Sequence, residues 1–210
     1  MLAVSDHPSA MPVEPASRPV PPSSTRRRSD RGATIVEFSI AFPILILLLL
    51  AIVDFGVNYG NKINVSHSAR EAARLGSVGQ TGGDGSCSVT AMSSPSTAQR
   101  ELICFAKRTA AMKDTEVRVR FAYMGPGGKI ATTNTGLGNK NSMMMCVQGQ
   151  ARSVSGLFSP LIDDKVFTAR TVIKTGRLGG TSAWVDPISE VSLPTGNWGF
   201  CTADDPIGTE

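Results

Sequence analysis

Histidine is nearly missing from this chain, which has only His7 and His67, and no Cys-x-x-Cys pair occurs. A zinc site would therefore lack its usual ligands and spacing, and neither a metal nor another cofactor is expected. Aromatic residues make up only 6% of the chain. Nucleic-acid recognition calls for a basic stripe with interleaved aromatics, and no such cluster is present, so nucleic acid is set aside as a partner. Gly-x-Ser-x-Gly and His-Glu-x-x-His are missing too. The carboxylates of Asp163-Asp164 and of Asp204-Asp205 are neighbours in sequence, whereas an acid/base pair converges from separate elements. Catalysis is not expected. The glycine-rich stretch from Gly79 to Ser86 (GQTGGDGS) lacks Gly-Lys-Ser/Thr, so it reads as a mobile loop and not as a phosphate cradle.

What remains is a chain of 210 residues, enough for one modest domain after an anchor and a tail are subtracted. Of its net charge of +4, half lies in the first 31 residues, where five arginines face Asp6, Glu14 and Asp30. Arg18, Arg26, Arg27, Arg28 and Arg31 all precede the hydrophobic run, and the rest is close to neutral. Cys87, Cys104, Cys146 and Cys201 all follow that run. If that side is exported, an even number of cysteines in an oxidising compartment implies two disulfides, with three pairings open; four buried thiols are the alternative.

Residues 1–31 combine Pro8, Pro12, Pro15, Pro19, Pro21 and Pro22 with serine and arginine. Almost nothing large and apolar is available to bury, so a disordered cytoplasmic leader is expected, with Met11 a second candidate start. From Phe38 to Val53 the chain reads FSIAFPILILLLLAIV, uncharged and flanked by Glu37 and Asp54. As helix this run gives roughly 24 Å, and adding Ala33 to Val36 and Phe55 to Val57 takes it past about 30 Å, the thickness of a hydrocarbon core. The unbroken leucine and isoleucine stretch from Ile44 to Leu50 leaves no polar face, which suits lipid better than the surface of a small domain. Arg26, Arg27, Arg28 and Arg31 set the orientation, placing the N-terminus in the cytoplasm. Nothing after Val53 resembles a small-x-small cleavage site, and Ser29 and Asp30 stand where a twin-arginine signal wants apolar residues.

Glu37 is the informative residue. A carboxylate inside an apolar helix is costly, so it needs either a position at the interface beside the arginines or a specific partner. Cleavage between Gly32 and Ala33 would supply that partner: Glu37 would become the fifth residue of the mature chain, close to a new ammonium.

The pattern Arg31-Gly32-Ala33-Thr34-Ile35-Val36-Glu37-Phe38, followed by Pro43 and the leucine run, resembles the processing site of type IV prepilin-like proteins. With Asp54-Phe55-Gly56 and Ala69-Arg70-Glu71-Ala72-Ala73-Arg74, it is similar more narrowly to the TadE family of minor pseudopilins of the tight-adherence (Flp-type) pilus. The likeness covers about residues 31–76, with Ala72 where a glycine is frequent and with a leader of 32 residues, longer than many. It implies that a membrane-embedded prepilin peptidase cuts after Gly32. It further implies that the mature protein meets other pilin or pseudopilin subunits and the pilus assembly platform, in surface attachment.

Beyond Asp54, the segment to Leu75 continues as helix, with Val57, Ile63, Val65, Ala69, Ala72 and Ala73 loosely on one side and Gly76 and Gly79 as stops. A second helix is expected over Ser94 to Met112, starting near Pro95, with Leu102, Phe105, Ala106 and Thr109 at helical spacing. It would carry Cys104, for which Cys87 is one candidate partner. Strands are expected over Glu116 to Tyr123, Met143 to Arg152 and Lys165 to Lys174, with a turn at Gly125–Gly128, a polar loop to Ser142, and a short helical or turn segment from Leu157 to Ile162. The methionines read as core filler. Trp184, Trp198 and Cys201 should anchor the tail.

The expected fold is α+β: a long helix from about Ala33 to Leu75, packed on a small antiparallel sheet with a second helix, pilin-like. The expected organisation is a leader at 1–32, a membrane helix at 33–57, its continuation at 58–76 and an exported domain at 77–210. Two functions fit: a pseudopilin-like assembly component, or a membrane-anchored exported binding domain that keeps its leader.

Overall fold

The computed structural model describes residues 29–91, 93–125, 130–131, 142–175 and 185–202, and the side chains of 29–33 and 131 lie outside that description. The chain divides into two units, Met1–Leu45 and Ile46–Glu210. Helix α1 (Ser29–Ser77) is 49 residues long and runs through the boundary between them.

In the first unit every described side chain is exposed, Ile35, Val36, Phe38, Ile40 and Phe42 among them. The rings of Phe38 and Phe42, one turn apart, lie 5.2 Å from each other. The apolar exposure continues into the second unit through Leu47, Leu48, Leu49, Ile52 and Val53. α1 is long and apolar enough to cross a membrane.

From Asp54 onward α1 gains a buried stripe: Asp54, Asn58, Val65, Ser68, Ala69, Ala72, Ala73 and Gly76. Steps of three and four residues hold these positions on one face. Val57 and Ile63 belong to the exposed side, 42% and 53% accessible, which corrects their expected place in the packing face. The small alanines let the helix approach the sheet closely, and Gly76 carries this furthest. A Cβ there would collide with the tip of Met143 and meet Leu102 at 3.2 Å, so Gly76 is a packing residue and not a stop. Gly79 provides the stop. At φ 72° it allows its own N–H to reach Gly76 O (3.1 Å) and the N–H of Gln80 to reach Leu75 O (3.0 Å), the double closure of a Schellman cap.

Helix α2 (Thr97–Thr109) begins later than expected, because Ser96 is its N-cap: Gln99 N donates to Ser96 Oγ, and Ser96 N donates to Gln99 Oε1 (2.7 Å). Leu102, Ile103, Ala106 and Ala110 face the core. The four strands β1 (Val117–Met124), β2 (Ile130–Ala131), β3 (Ser142–Gln150) and β4 (Val166–Lys174) form one antiparallel sheet in the order β2-β1-β3-β4, with α3 (Ser159–Ile162) before β4 and β5 (Ile188–Ser189) also paired to β1. β2 falls where an uninterrupted loop was expected, and the Gly125–Gly128 turn lies largely outside the described residues.

Register explains the core. Val119↔Val147, Phe121↔Met145 and Tyr123↔Met143 are directly opposed on β1 and β3, and all six side chains are buried beneath the helices. On the opposite sheet face Ala122, Met144, Cys146 and Cys201 form a second buried cluster, with Trp198 and Phe200 against it. β1 therefore buries one complete face and part of the other. The α+β architecture, with a long helix and a second helix on a small antiparallel sheet, is the one expected from the sequence.

Candidate functional site

Gly32 and Ala33 stand in the first turn of α1, and Glu37 lies one turn beyond Ala33 with an exposed side chain. Among the described residues Glu37 has no ion pair. Ser39 Oγ donates to Ile35 O (2.8 Å), so this hydroxyl is satisfied within the helix. The backbone of Arg31 is also in α1, whereas Arg26, Arg27 and Arg28 lie outside the described residues.

The second carboxylate flanking the run, Asp54, is fully buried. It accepts hydrogen bonds from Ser153 Oγ (2.6 Å), Ser155 Oγ (2.7 Å), Val154 N (2.9 Å) and Ser155 N (2.9 Å). One turn later the Asn58 amide both donates to Arg152 O (2.9 Å) and accepts from Arg152 N (3.1 Å). These contacts bind one turn of α1 to the loop after β3. The charge is tolerated because the loop supplies four donors, a set that stabilises the ionised form. Asp163 continues the network, accepting from Ser159 Oγ and from Ser153 N (2.7 Å), and these bonds hold its carboxyl below the usual range.

A third polar centre lies in the domain. Lys107 on α2 and Glu190 after β5 are both fully buried and form an ion pair at 2.9 Å. Lys107 Nζ also donates to Ser88 O (2.6 Å) and Asp114 O (3.1 Å), and Glu190 accepts from Thr90 N (2.9 Å) and Val119 N (2.8 Å). Burial pushes the Lys107 ammonium below its ordinary range, and the adjoining Glu190 opposes that shift. The pair joins α2, the loop before it, β1 and the C-terminal segment at one point.

Sequence inspection missed this pair, although a signal was there: Lys107 shares the apolar face of Ile103 and Ala110, so it needed a partner. His67, by contrast, is exposed on α1. Among the described residues no group of three or more His, Cys, Asp or Glu side chains could hold a metal ion.

The cysteines pair as Cys87–Cys104 and Cys146–Cys201, with Cα separations of 5.4 Å and 6.0 Å. The first selects the expected partner for Cys104. The second ties the tail to the middle strand of the sheet, where Trp198 Nε1 also donates to Glu190 O (2.9 Å); Trp184 and Asp204-Asp205 lie outside the described residues. The Gly79–Ser86 stretch is fastened, not loose: Thr81 bonds Glu101, and Asp84 pairs with Arg108.

No curated protein and no solved structure matches the chain. Residues 32–74 match the family model described as TadE-like protein. That range starts at Gly32, contains Glu37, Asp54 and Asn58, and ends at Arg74, just past the packed Ala72 and Ala73. The similarity to the TadE-like family is therefore carried by one stretch of α1, from Gly32 to Arg74.

Proposed function

We propose that the protein is a minor pseudopilin-like structural component that takes part in assembling or initiating a tight-adherence pilus for surface attachment. The supporting observation is that the TadE-like match covers both parts of one helix: a stretch with its apolar side chains exposed throughout, and a stretch that seats a domain. Apolar exposure on that scale calls for lipid or neighbouring helices. In this reading the leader of 1–32 is removed by a prepilin peptidase, 33–57 crosses the cytoplasmic membrane, 58–76 continues outside it, and 77–210 is exported.

Helical geometry gives Glu37 its role. In a chain beginning at Ala33, the new ammonium stands four residues before the carboxylate, one turn away on the same face. Glu37 then pairs with that amine, in its own chain or in a neighbouring subunit, where lipid would otherwise penalise both charges.

N-terminal sequencing of protein isolated from native membranes tests the reading. A start at Ala33 supports it, and an intact leader favours a simple anchored binding domain. Glu37→Ala should insert normally yet impair piliation; normal pili in that variant would remove the proposed role.

A further inference from the structure

We propose that the segment following β3, from Val154 to Leu161, is a second membrane contact, which lies on the outer leaflet beside the helix that crosses it. Its occupant is lipid at the boundary between headgroups and acyl chains. The inference rests on the spanning reading of α1.

Position is the first argument. Asp54 and Asn58 grip residues 152–155 through the six hydrogen bonds described above, so the segment is fixed at the level where the apolar run of α1 ends. Within the same unit that run exposes Leu48, Leu49, Ile52 and Val53, side chains that require lipid if α1 spans. The grip therefore delivers the segment to the membrane surface.

Composition is the second argument. Val154, Leu157 and Leu161 are 63%, 54% and 67% accessible, although a loop of this length has ample opportunity to turn them inward. Phe158 is half-buried with its ring 6.3 Å from that of Phe55, itself exposed on α1. These groups make the apolar surface continuous from helix to loop. A notch of ≈ 300 Å³ lies beside them, lined by Phe55, Leu161, Ile162 and Phe167 among others, wide enough for part of an acyl chain.

Charge supplies the third argument. Lys62 and Lys165 are exposed next to the apolar patch, an arrangement suited to lipid phosphates; Arg152, also exposed, is already paired with Glu116 (2.8 Å), and Asp163 and the exposed Asp164 are the carboxylates in the turn. Aromatic and aliphatic side chains rimmed by cations are the composition of an interfacial contact. A second copy of the chain would gain nothing from this cationic rim facing its own equivalent. The consequence is orientational: two contacts, helix and loop, hold the domain at one tilt to the membrane, whereas a lone helix leaves it free to swivel.

The test places the photocrosslinking residue p-benzoylphenylalanine singly at Leu157, Leu48 and Thr97 in the full-length protein, reconstituted in phosphatidylethanolamine and phosphatidylglycerol vesicles. Thr97 opens α2, on the side of the domain where Leu102 meets Gly76, away from Asp54. Lipid adducts at positions 157 and 48 but not 97 are expected. A fourth probe, at Val154, should also give lipid adducts and lose them when Leu157→Asp and Leu161→Asp are combined, substitutions that exposed positions tolerate. Lipid at 48 with none at 157, or dimer adducts at 157, overturns the loop contact alone. No lipid at 48 brings down the spanning reading together with it.

Discussion

Replacing Lys107 with methionine removes the cation while keeping most of the side-chain volume. Glu190 would then be left fully buried with two amide donors and no counter-charge, and the carbonyls of Ser88 and Asp114 would each lose a donor. Breaking a buried pair from one side costs about 3–5 kcal/mol. Set against the ~5–15 kcal/mol that stabilises a typical domain, that is a large share. The exposed Glu71–Arg74 pair on α1 offers the contrast, since a solvated, salt-screened pair of this kind contributes far less. Glu190→Leu should cost at least as much as Lys107→Met, because it strands a buried ammonium and the amides of Thr90 and Val119. In the double variant the charges leave together, and the remaining penalty is the two amides of Thr90 and Val119, at ~1–3 kcal/mol each, with the lost donor at the Ser88 and Asp114 carbonyls that Lys107→Met already carries. The double variant should therefore be destabilised by less than the sum of the singles, by about 1–3 kcal/mol of coupling. Urea unfolding of the full chain in detergent micelles, followed by tryptophan fluorescence, reads this directly, since Trp198 is bonded to the Glu190 carbonyl. A Lys107→Met cost below about 1 kcal/mol, or strict additivity, would refute the reasoning.

Opening Cys146–Cys201 by serine substitution should cost about 4 kcal/mol from the loop of 55 residues that it closes, and opening Cys87–Cys104, across 17, about 3 kcal/mol; equal costs in the same urea assay would contradict the loop-length account. Gly76→Leu should destabilise by ~1–3 kcal/mol or more through collision with Met143, whereas Ser77→Ala, which removes only a bond to Arg74 O, should cost far less. Asp163 is held below its ordinary carboxylate range chiefly by the hydroxyl of Ser159 and then by Ser153 N. A lowered folded-state value stabilises above the unfolded value of about 3.9 and is lost as pH falls through the folded one, so the exchange protection factor of the Ser153 amide should be flat near neutrality and drop in acid. A factor that rises on acidification would reverse the sign and defeat that assignment.

Much of this fold was legible because the hydrophobic pattern carries it. β1 alternates Val117, Val119, Phe121 and Tyr123 against Arg118 and Arg120, and that period of two survives as the observed buried face. The three methionines of β3 are all buried, as an apolar run implies, and α1 keeps Val65, Ala69, Ala72 and Ala73 on its packing face while Val57 and Ile63 fall outside it. Helix boundaries were harder to place. Ser94 and Pro95 suggested an early start for α2, but the reciprocal Ser96–Gln99 bonds decide it, and such pairing depends on local backbone geometry. β2 and β5 are two residues each, too short to show a period, and exist because the edge of β1 recruits them. Of the candidate site, Gly32, Ala33 and Glu37 were read from a local motif. The burial of Asp54 depends on residues 153–155, about a hundred positions away, so the same carboxylate looked like a simple flank of the apolar run. Lys107 and Glu190 meet across a separation of 83 residues for the same reason.

The disulfides join neighbours in the order of translation, first with second and third with fourth. In the proposed topology the N-terminus stays behind and the domain emerges from its membrane-proximal end, so that in an oxidising compartment each thiol meets its proper mate before a competing one arrives. Cys87 and Cys104 can close while Cys146 and Cys201 are still behind. Under that export, vectorial delivery favours this one of the three connectivities, and correct pairing would demand little shuffling by an isomerase.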